Sequence, residues 1–314
     1  VPLTAIPALV RLGREGFDTV FHTQWQTVAA TVFARSLGGP TTLHLAAHGR
    51  ELLLRPLEAL PGAQWGFDQL RRRAIHQASK LFPVSRFTAG LLKELGASEA
   101  NIVTVPNGTD PSRFRPMDVD ELKKRHGLSG RPVILSVGRL APRKGFDTVI
   151  EALPRIIDDF PDVCYVLVGD GADRERLEGL VAAKQLADSV RFIGRVDWSE
   201  LPHWHNVADV FVTPSRHTPP SVEGFGIVFL EANACGKPVI GARTGGIPDA
   251  VLDGKTGLLV EADQPNELAD ALHRLLSDRE FALRLGTFGR ERVLSSGTWD
   301  HVHDTLYHAM NECS

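Results

Sequence analysis

The sequence predicts an α/β protein of two doubly wound parallel-sheet lobes with a cleft between them, the first lobe incomplete at its start. Three observations predict it. Short β-branched runs bounded by Gly, Pro and polar residues alternate with segments of helical periodicity, the pattern of βαβ units. The chain has 314 residues, and a single core seldom grows beyond roughly 250 to 300. The charge also reverses along the chain: residues 1–131 carry a net +6 and residues 132–314 a net −9.

In the first lobe, placed at 1–130, strands are expected near 18–23, 41–46, 80–84 and 102–105, with helices at about 25–38, 63–79 and 85–95. Its first strand already follows a helix, as if an earlier βαβ portion were missing. A charged helix, a glycine and a polar turn over 118–130 put the interdomain connection near 127–131. The second lobe, 131–297, reads as strands at 132–137, 163–168, 190–193, 210–213, 238–241 and 258–260 with helices filling the gaps. Residues 298–314 read as a terminal helix that packs back on the first lobe.

Composition narrows the function. Lys plus Arg number 35 against 38 Asp plus Glu, a balance that disfavours nucleic acid as the main partner. Cys164, Cys235 and Cys313 have neither disulfide-framework nor zinc spacing, which points to a reducing, cytoplasmic setting. Residues 1–10 contain Pro2 and Pro7 and lack a basic start, unlike a signal peptide. No apolar run approaches the roughly 18 to 20 residues of a membrane span, so membrane contact is expected to be peripheral.

Several segments suit an anionic, hydroxyl-rich ligand. The loop Glu223-Gly224-Phe225-Gly226 precedes an apolar helical stretch beginning at Ile227. Two glycines at a helix entrance let backbone N–H groups approach a phosphate, and the helix dipole favours its charge. Glu231, about one turn into that helix, needs hydrogen-bonding partners such as sugar hydroxyls. Spacing alone leaves the alternative of a solvated Glu223 and a Glu231 serving only the dipole. Gly138 and Arg139 follow the first strand of the second lobe, and Lys144 stands at the next helix start, where a guanidinium and an ammonium suit a diphosphate. A basic surface loop is the plainer reading of that segment.

Val168-Gly169-Asp170-Gly171 opens like a dinucleotide fingerprint, but Arg174 occupies the third glycine position, which weakens a dehydrogenase reading. In the first lobe His48 follows a strand and is placed in the cleft, where its imidazole suits a sugar hydroxyl or phosphate. The i, i+2 pairs His203/His205 and His301/His303 point apart on helices and are poor metal ligands. Arg71-Arg72-Arg73 reads as a basic helix face, either solvated or meeting an anionic lipid or acceptor.

Taken together, Gly138-Arg139 through Lys144-Gly145, Glu223 through Glu231, Gly236-Lys237-Pro238-Val239-Ile240 and Gly245-Gly246 resemble family 4 of the retaining glycosyltransferases, of the GT-B fold with two Rossmann-like lobes. Supporting marks are Val105-Pro106-Asn107-Gly108, Phe192-Ile193-Gly194 and Asp253-Gly254-Lys255-Thr256-Gly257. The order of these motifs and the Glu, seven residues, Glu spacing carry the likeness over most of the chain. Pro219 to Gly224 and His48 to Glu51 look somewhat like bacterial phosphatidylinositol-mannoside mannosyltransferases, which favours GDP-mannose over a UDP-sugar.

The resemblance implies transfer of a hexose from a nucleotide-diphosphate sugar to a hydroxyl acceptor, lipid-linked or anionic, with no metal and no further cofactor. It implies that Arg139 and Lys144 neutralise the diphosphate and Glu231 holds the ribose. Glu223, with the backbone of Gly224, Phe225, Gly226 and Ile227, contacts the donor sugar; the backbone at Arg195 and Val196 reads the base; His48 approaches the sugar. It also implies peripheral contact of the basic first lobe with the inner membrane face. Two other classes stay open on sequence: a sugar-nucleotide epimerase of the same fold, and a non-catalytic nucleotide-sugar-binding subunit.

Overall fold

The computed structural model describes residues 5–311. The smaller sheet is parallel, ordered β1 (Thr19–His22), β2 (Thr42–Ala47), β3 (Lys80–Pro83). It is accompanied by α1 (Ile6–Arg14), α2 (Val28–Arg35), α3 (Arg50–Leu53), α4 (Pro61–His76) and α5 (Arg86–Glu94). The core here joins Leu43, Leu45 and Ala47 of β2 to Trp25, Val28, Leu52, Ile75, Leu81 and Leu92. Helix α5 begins at a reciprocal cap: Ser85 Oγ accepts from the Thr88 N–H at 3.1 Å and Thr88 Oγ1 accepts from the Ser85 N–H at 2.9 Å.

The expected helix at 25–38 is instead a 3₁₀ turn, Trp25–Thr27, leading into α2. The expected strand at 102–105 is also absent. Val103 and Val105 donate to the carbonyls of Leu81 and Pro83, yet only one bridge forms, Leu81 to Ile102. Pro83 has no N–H to return the next ladder bond.

The larger sheet has six parallel strands in the order β6-β5-β4-β7-β8-β9. In chain order its elements are α6 (Asp120–Arg125), β4 (Val133–Val137), α7 (Phe146–Ile157), β5 (Cys164–Val168), α8 (Arg174–Ala183), β6 (Val190–Gly194), α9 (Leu201–Val207) and β7 (Val210–Thr213). There follow α10 (Ile227–Ala234), β8 (Val239–Ala242), α11 (Ile247–Ala250), β9 (Gly257–Val260), α12 (Pro265–Ser277), α13 (Arg279–Ser296) and α14 (Trp299–Asn311). All six strands expected from sequence are present. β4 is flanked by β5 on one side and β7 on the other, so the winding reverses there, the place where open α/β sheets bind ligands.

Every residue of β4 and β5 is buried, which is why both read as continuous apolar runs. The two polar side chains inside them satisfy one another. Tyr165 Oη donates to Ser136 Oγ at 2.9 Å, and Ser136 Oγ donates to the Val212 carbonyl at 2.5 Å, linking β5, β4 and β7.

The chain groups into two compact units. One comprises the stretch ending at Pro106, Pro219–Phe225 and the stretch beginning at Val302; the other comprises Asn107–Thr218 and Gly226–His301. The division therefore falls after Pro106, not at the expected 127–131. The cause is packing. Phe114 is 1% exposed and meets the Trp198 and His205 rings edge-on, and the Asn206 side chain binds the Arg115 carbonyl and the Met117 N–H. These contacts draw 107–126 into the second unit. Within α14, Val302, Leu306, Ala309 and Met310 pack with Phe82 and Val105 of the first. Residues 312–314, including Cys313, and 1–4 of the amino-terminal stretch lie outside the described residues.

Candidate active site

The carboxyl ends of β4, β5 and β6 enclose a hollow of about 580 Å³ lined by Gly138, Arg139, Gly169, Asp170, Arg195 and Val196, among others. Glycine builds it. Gly138 leaves β4 at φ +152° and its N–H donates to the Val168 carbonyl at 2.9 Å. A Cβ at Gly169, whose φ is +135°, would stand 1.9 Å from the Gly138 carbonyl oxygen, and one at Gly171 would stand 2.1 Å from that of Leu140. The two strand-to-helix turns thus lie backbone on backbone, and only glycine permits the approach. Gly169 also donates to the Gly194 carbonyl at 2.8 Å, bringing the β6 exit, with Arg195 and Val196, to the same hollow.

Arg139 is exposed at this hollow, whereas Lys144 is 7% exposed. Lys144 ends the 3₁₀ turn Pro142–Lys144, and its ammonium lies 3.8 Å from the position a Cβ would take on Gly138. Sequence reasoning did not foresee what fixes it there. The Arg216 N–H donates to the Arg143 carbonyl at 2.8 Å, and Gly145 packs so closely on Pro214 that a Cβ would meet its carbonyl at 2.2 Å. The Arg216 guanidinium then binds Asp147 at 2.6 Å, with Arg176 on the other carboxylate oxygen at 3.1 Å. Burial alone would raise the Asp147 pKa, but the hydrogen bonds and charges of Arg216 and then Arg176 hold it below the usual carboxylate range. The loop after β7 is thereby locked to the start of α7, beside Lys144.

Gly226, at φ +95°, caps α10. Glu231 of α10 is buried, and its expected need for a partner is met by a side chain: His205 Nε2 lies 3.2 Å from Glu231 Oε2. His205 is fully buried between the rings of Phe114 and Phe211. The sequence weighed this histidine only as a metal ligand; its burial in an apolar helix face was the signal available.

The other expected site residues fall in the first unit. Gly224 packs on the loop after β2, where a Cβ would meet the His48 carbonyl at 1.9 Å; Gly49, at φ +107°, faces Val222 and Gly224. Glu51 fixes this loop by accepting from the His48 N–H at 2.6 Å and the Gly49 N–H at 3.2 Å. His48 is exposed, Glu223 half-buried and Phe225 buried. Gly226, Ile227 and Glu231 belong to the second unit and Glu223, Gly224 and Phe225 to the first, so the division between units falls within this one sequence motif. The basic face at 71–73 is smaller than expected. Arg71 is 6% exposed and its guanidinium binds the Leu52 and Leu54 carbonyls and Asp68, leaving only Arg72 and Arg73 toward solvent.

Comparison with known proteins settles the family. The sequence pattern described as "Glycosyl transferases group 1" matches residues 118–292, and "Glycosyl transferase 4-like domain" matches residues 1–108. The chain belongs to the group 1 glycosyltransferases. It is 42% identical over 299 residues to the GDP-mannose-dependent alpha-(1-6)-phosphatidylinositol monomannoside mannosyltransferase of Mycobacterium tuberculosis, covering 93% of this chain and 76% of that one. It is 31% identical over 310 residues to the monoacylated-acceptor counterpart of Corynebacterium glutamicum, covering 96% and 79%. Among solved structures it superposes on HepE of Anabaena, determined with UDP, with a TM-score of 0.85 at 20% identity, over 98% of this chain and 82% of that one. The fold of this glycosyltransferase is therefore GT-B, with two parallel-sheet α/β units.

Proposed function

We propose that this glycosyltransferase moves a mannosyl residue from GDP-mannose to a hydroxyl of a phosphatidylinositol-type glycolipid, with retention and without a metal. The observation that carries the reading is the glycine-built hollow with Arg139 and Arg195 on its wall and the Lys144 ammonium against Gly138. Two cations and backbone N–H groups suit a diphosphate. In this reading Arg139 and Lys144 bind the diphosphate, the backbone at Arg195 and Val196 meets the base, and Glu231, held by His205, binds the ribose. Gly138 lets backbone approach the phosphates, while Glu223, the backbone of Gly224, Phe225, Gly226 and Ile227, and His48 serve the sugar.

The bond from the sugar C1 to the diphosphate oxygen breaks first, leaving an oxocarbenium-like sugar and negative charge on the departing phosphate. Arg139 and Lys144 stabilise that charge. The acceptor hydroxyl then bonds C1 on the face the phosphate leaves, and its proton passes to the leaving phosphate oxygen. In this reading the exposed Arg139 guanidinium and the buried Lys144 ammonium take the role that Mg²⁺ has in other enzymes.

The acceptor assignment draws on the named substrates of the 42%-identical relative and on the first unit's surface. Trp65, Leu60 and Leu70, on or beside α4, are 67%, 61% and 59% exposed, with Arg72 and Arg73 on the same helix. Such a mixture suits peripheral contact with anionic lipid, at the inner membrane face where GDP-mannose is available. No described helix is long and apolar enough to cross a membrane.

The test is incubation with GDP-[¹⁴C]mannose, UDP-[¹⁴C]glucose or UDP-N-acetyl[¹⁴C]glucosamine and phosphatidylinositol monomannoside vesicles, with and without EDTA. Label entering lipid from GDP-mannose alone, unaffected by EDTA and α-linked by NMR, is the expected result. Transfer only from a UDP-sugar would refute the donor, EDTA sensitivity the metal independence, and a β-linkage the retention.

A further inference from the structure

A second hollow lies in the second unit at the opposite, amino-terminal edge of its sheet, where the chain enters β4, β7 and β8. It measures about 520 Å³ and is lined by Lys123, Arg131, Asp209, Lys237 and Arg279, with Leu275, Leu276, Ala282 and Leu283 forming an apolar side. The proposed donor chemistry uses none of these residues.

The charge is one-sided: four cations, Lys123, Arg131, Lys237 and Arg279, face one carboxylate, Asp209. That carboxylate is already engaged, since Asp209 Oδ2 accepts from the Val133 N–H at 2.7 Å. Arg131 is held rigidly, donating through Nε to the Asp162 carbonyl at 2.8 Å and through Nη2 to those of Val163 and Asp188. Among the described residues, Lys123, Lys237 and Arg279 make no side-chain hydrogen bond and no ion pair. Lys237 is half-buried, and burial, with the neighbouring Lys123 charge, pulls its pKa below that of a free lysine despite Asp209. Cations held together around a hollow repel one another, and an anion bound among them relieves that repulsion. A guanidinium held by three carbonyls and two ammonium groups without ion pairs match several phosphate oxygens better than a single carboxylate.

We infer that this hollow is a second ligand site, taking a small molecule that bears a polyphosphate chain, separate from the donor site at the other edge of the sheet. Its leucine wall accepts an organic body attached to that chain.

The experiment is isothermal titration of the full chain, saturated with GDP, with inorganic tripolyphosphate and separately with ATP. The expected result is saturable binding, weakened at least about tenfold in Lys123→Gln/Lys237→Gln/Arg279→Gln, with GDP affinity unchanged. The double variant Lys123→Gln/Arg279→Gln keeps the half-buried Lys237 and guards against misfolding; it is expected to lose at least about threefold with an unchanged melting curve. ATP binding more tightly than tripolyphosphate supports the organic body on the leucine wall, and equal or weaker ATP affinity overturns that part of the proposal. No saturable binding with GDP in place, or equal affinity in wild type and both variants, overturns the proposal. Because GDP occupies the donor site throughout, that failure is distinguishable from a failure of the donor assignment.

Discussion

Replacing Lys144 by Ala removes one buried cation beside the glycine hollow. The ammonium is 3.8 Å from where a Gly138 side chain would begin, and the lysine is 7% exposed, so little water screens it. At about 4 Å and an effective dielectric near 20, two unit charges interact by about 4 kcal/mol. Removing a donor aimed at charge that develops in a transition state commonly costs about 2.7 to 4 kcal/mol. At about 1.4 kcal/mol per factor of ten, kcat/KM should fall by about 10² to 10³. Initial rates of label transfer from GDP-[¹⁴C]mannose at low donor concentration measure it. Lys144→Arg, which keeps the charge but not its shape, should fall between the two. A loss under tenfold in a variant with wild-type melting behaviour would refute the leaving-group role.

Three further outcomes follow from the same geometry. Gly169→Ala forces a Cβ to within 1.9 Å of the Gly138 carbonyl at a φ of +135°, so thermal unfolding should show a loss of at least about 1–3 kcal/mol and titration a collapse of GDP affinity; a normal Tm with normal GDP binding would contradict the backbone-on-backbone account. Glu231→Ala should mainly raise donor KM, and His205→Phe, which strands a buried carboxylate, should raise it too while lowering stability by about 1–3 kcal/mol; unaltered GDP affinity in both would remove Glu231 from the donor site. Acid should weaken the first unit. Burial, with Arg35 near His22 and Lys80 near His44, holds both histidines below their ordinary pKa, so the unfolded chain takes up protons first and stability falls as pH drops below about 6.5, by at most about 1.4 kcal/mol per pH unit for each. Urea titrations between pH 7.5 and 5 check this, and His44→Leu should flatten the slope; an unchanged slope would contradict it.

Much of the second unit was legible because strands buried on both faces leave uninterrupted apolar runs, as in Val133–Val137 and Cys164–Val168. The glycine hollow was legible for a related reason. Positions 169 and 171 leave no room for a Cβ and position 138 takes a φ of +152°, and the sequence shows the same glycines in strand-to-helix turns. The domain boundary was not legible. The charge reversal near 131 is a surface property, whereas the boundary follows the burial of Phe114 against residues more than eighty positions away. Long-range pairing also hid Arg71, which reads as one of three equivalent arginines until the Leu52 and Leu54 carbonyls claim it. The Asp147–Arg216 lock joins a helix start to a loop 69 residues later, and no local pattern announces it.

The central claim is that the hollow at the ends of β4, β5 and β6 holds the nucleotide diphosphate, and amide hydrogen exchange with and without GDP tests it most directly. Slowed exchange at 138–145, 169–171 and 194–196, abolished by Arg139→Ala combined with Lys144→Ala, is the predicted result. Saturating GDP that leaves those three stretches unchanged while protecting amides elsewhere would contradict it.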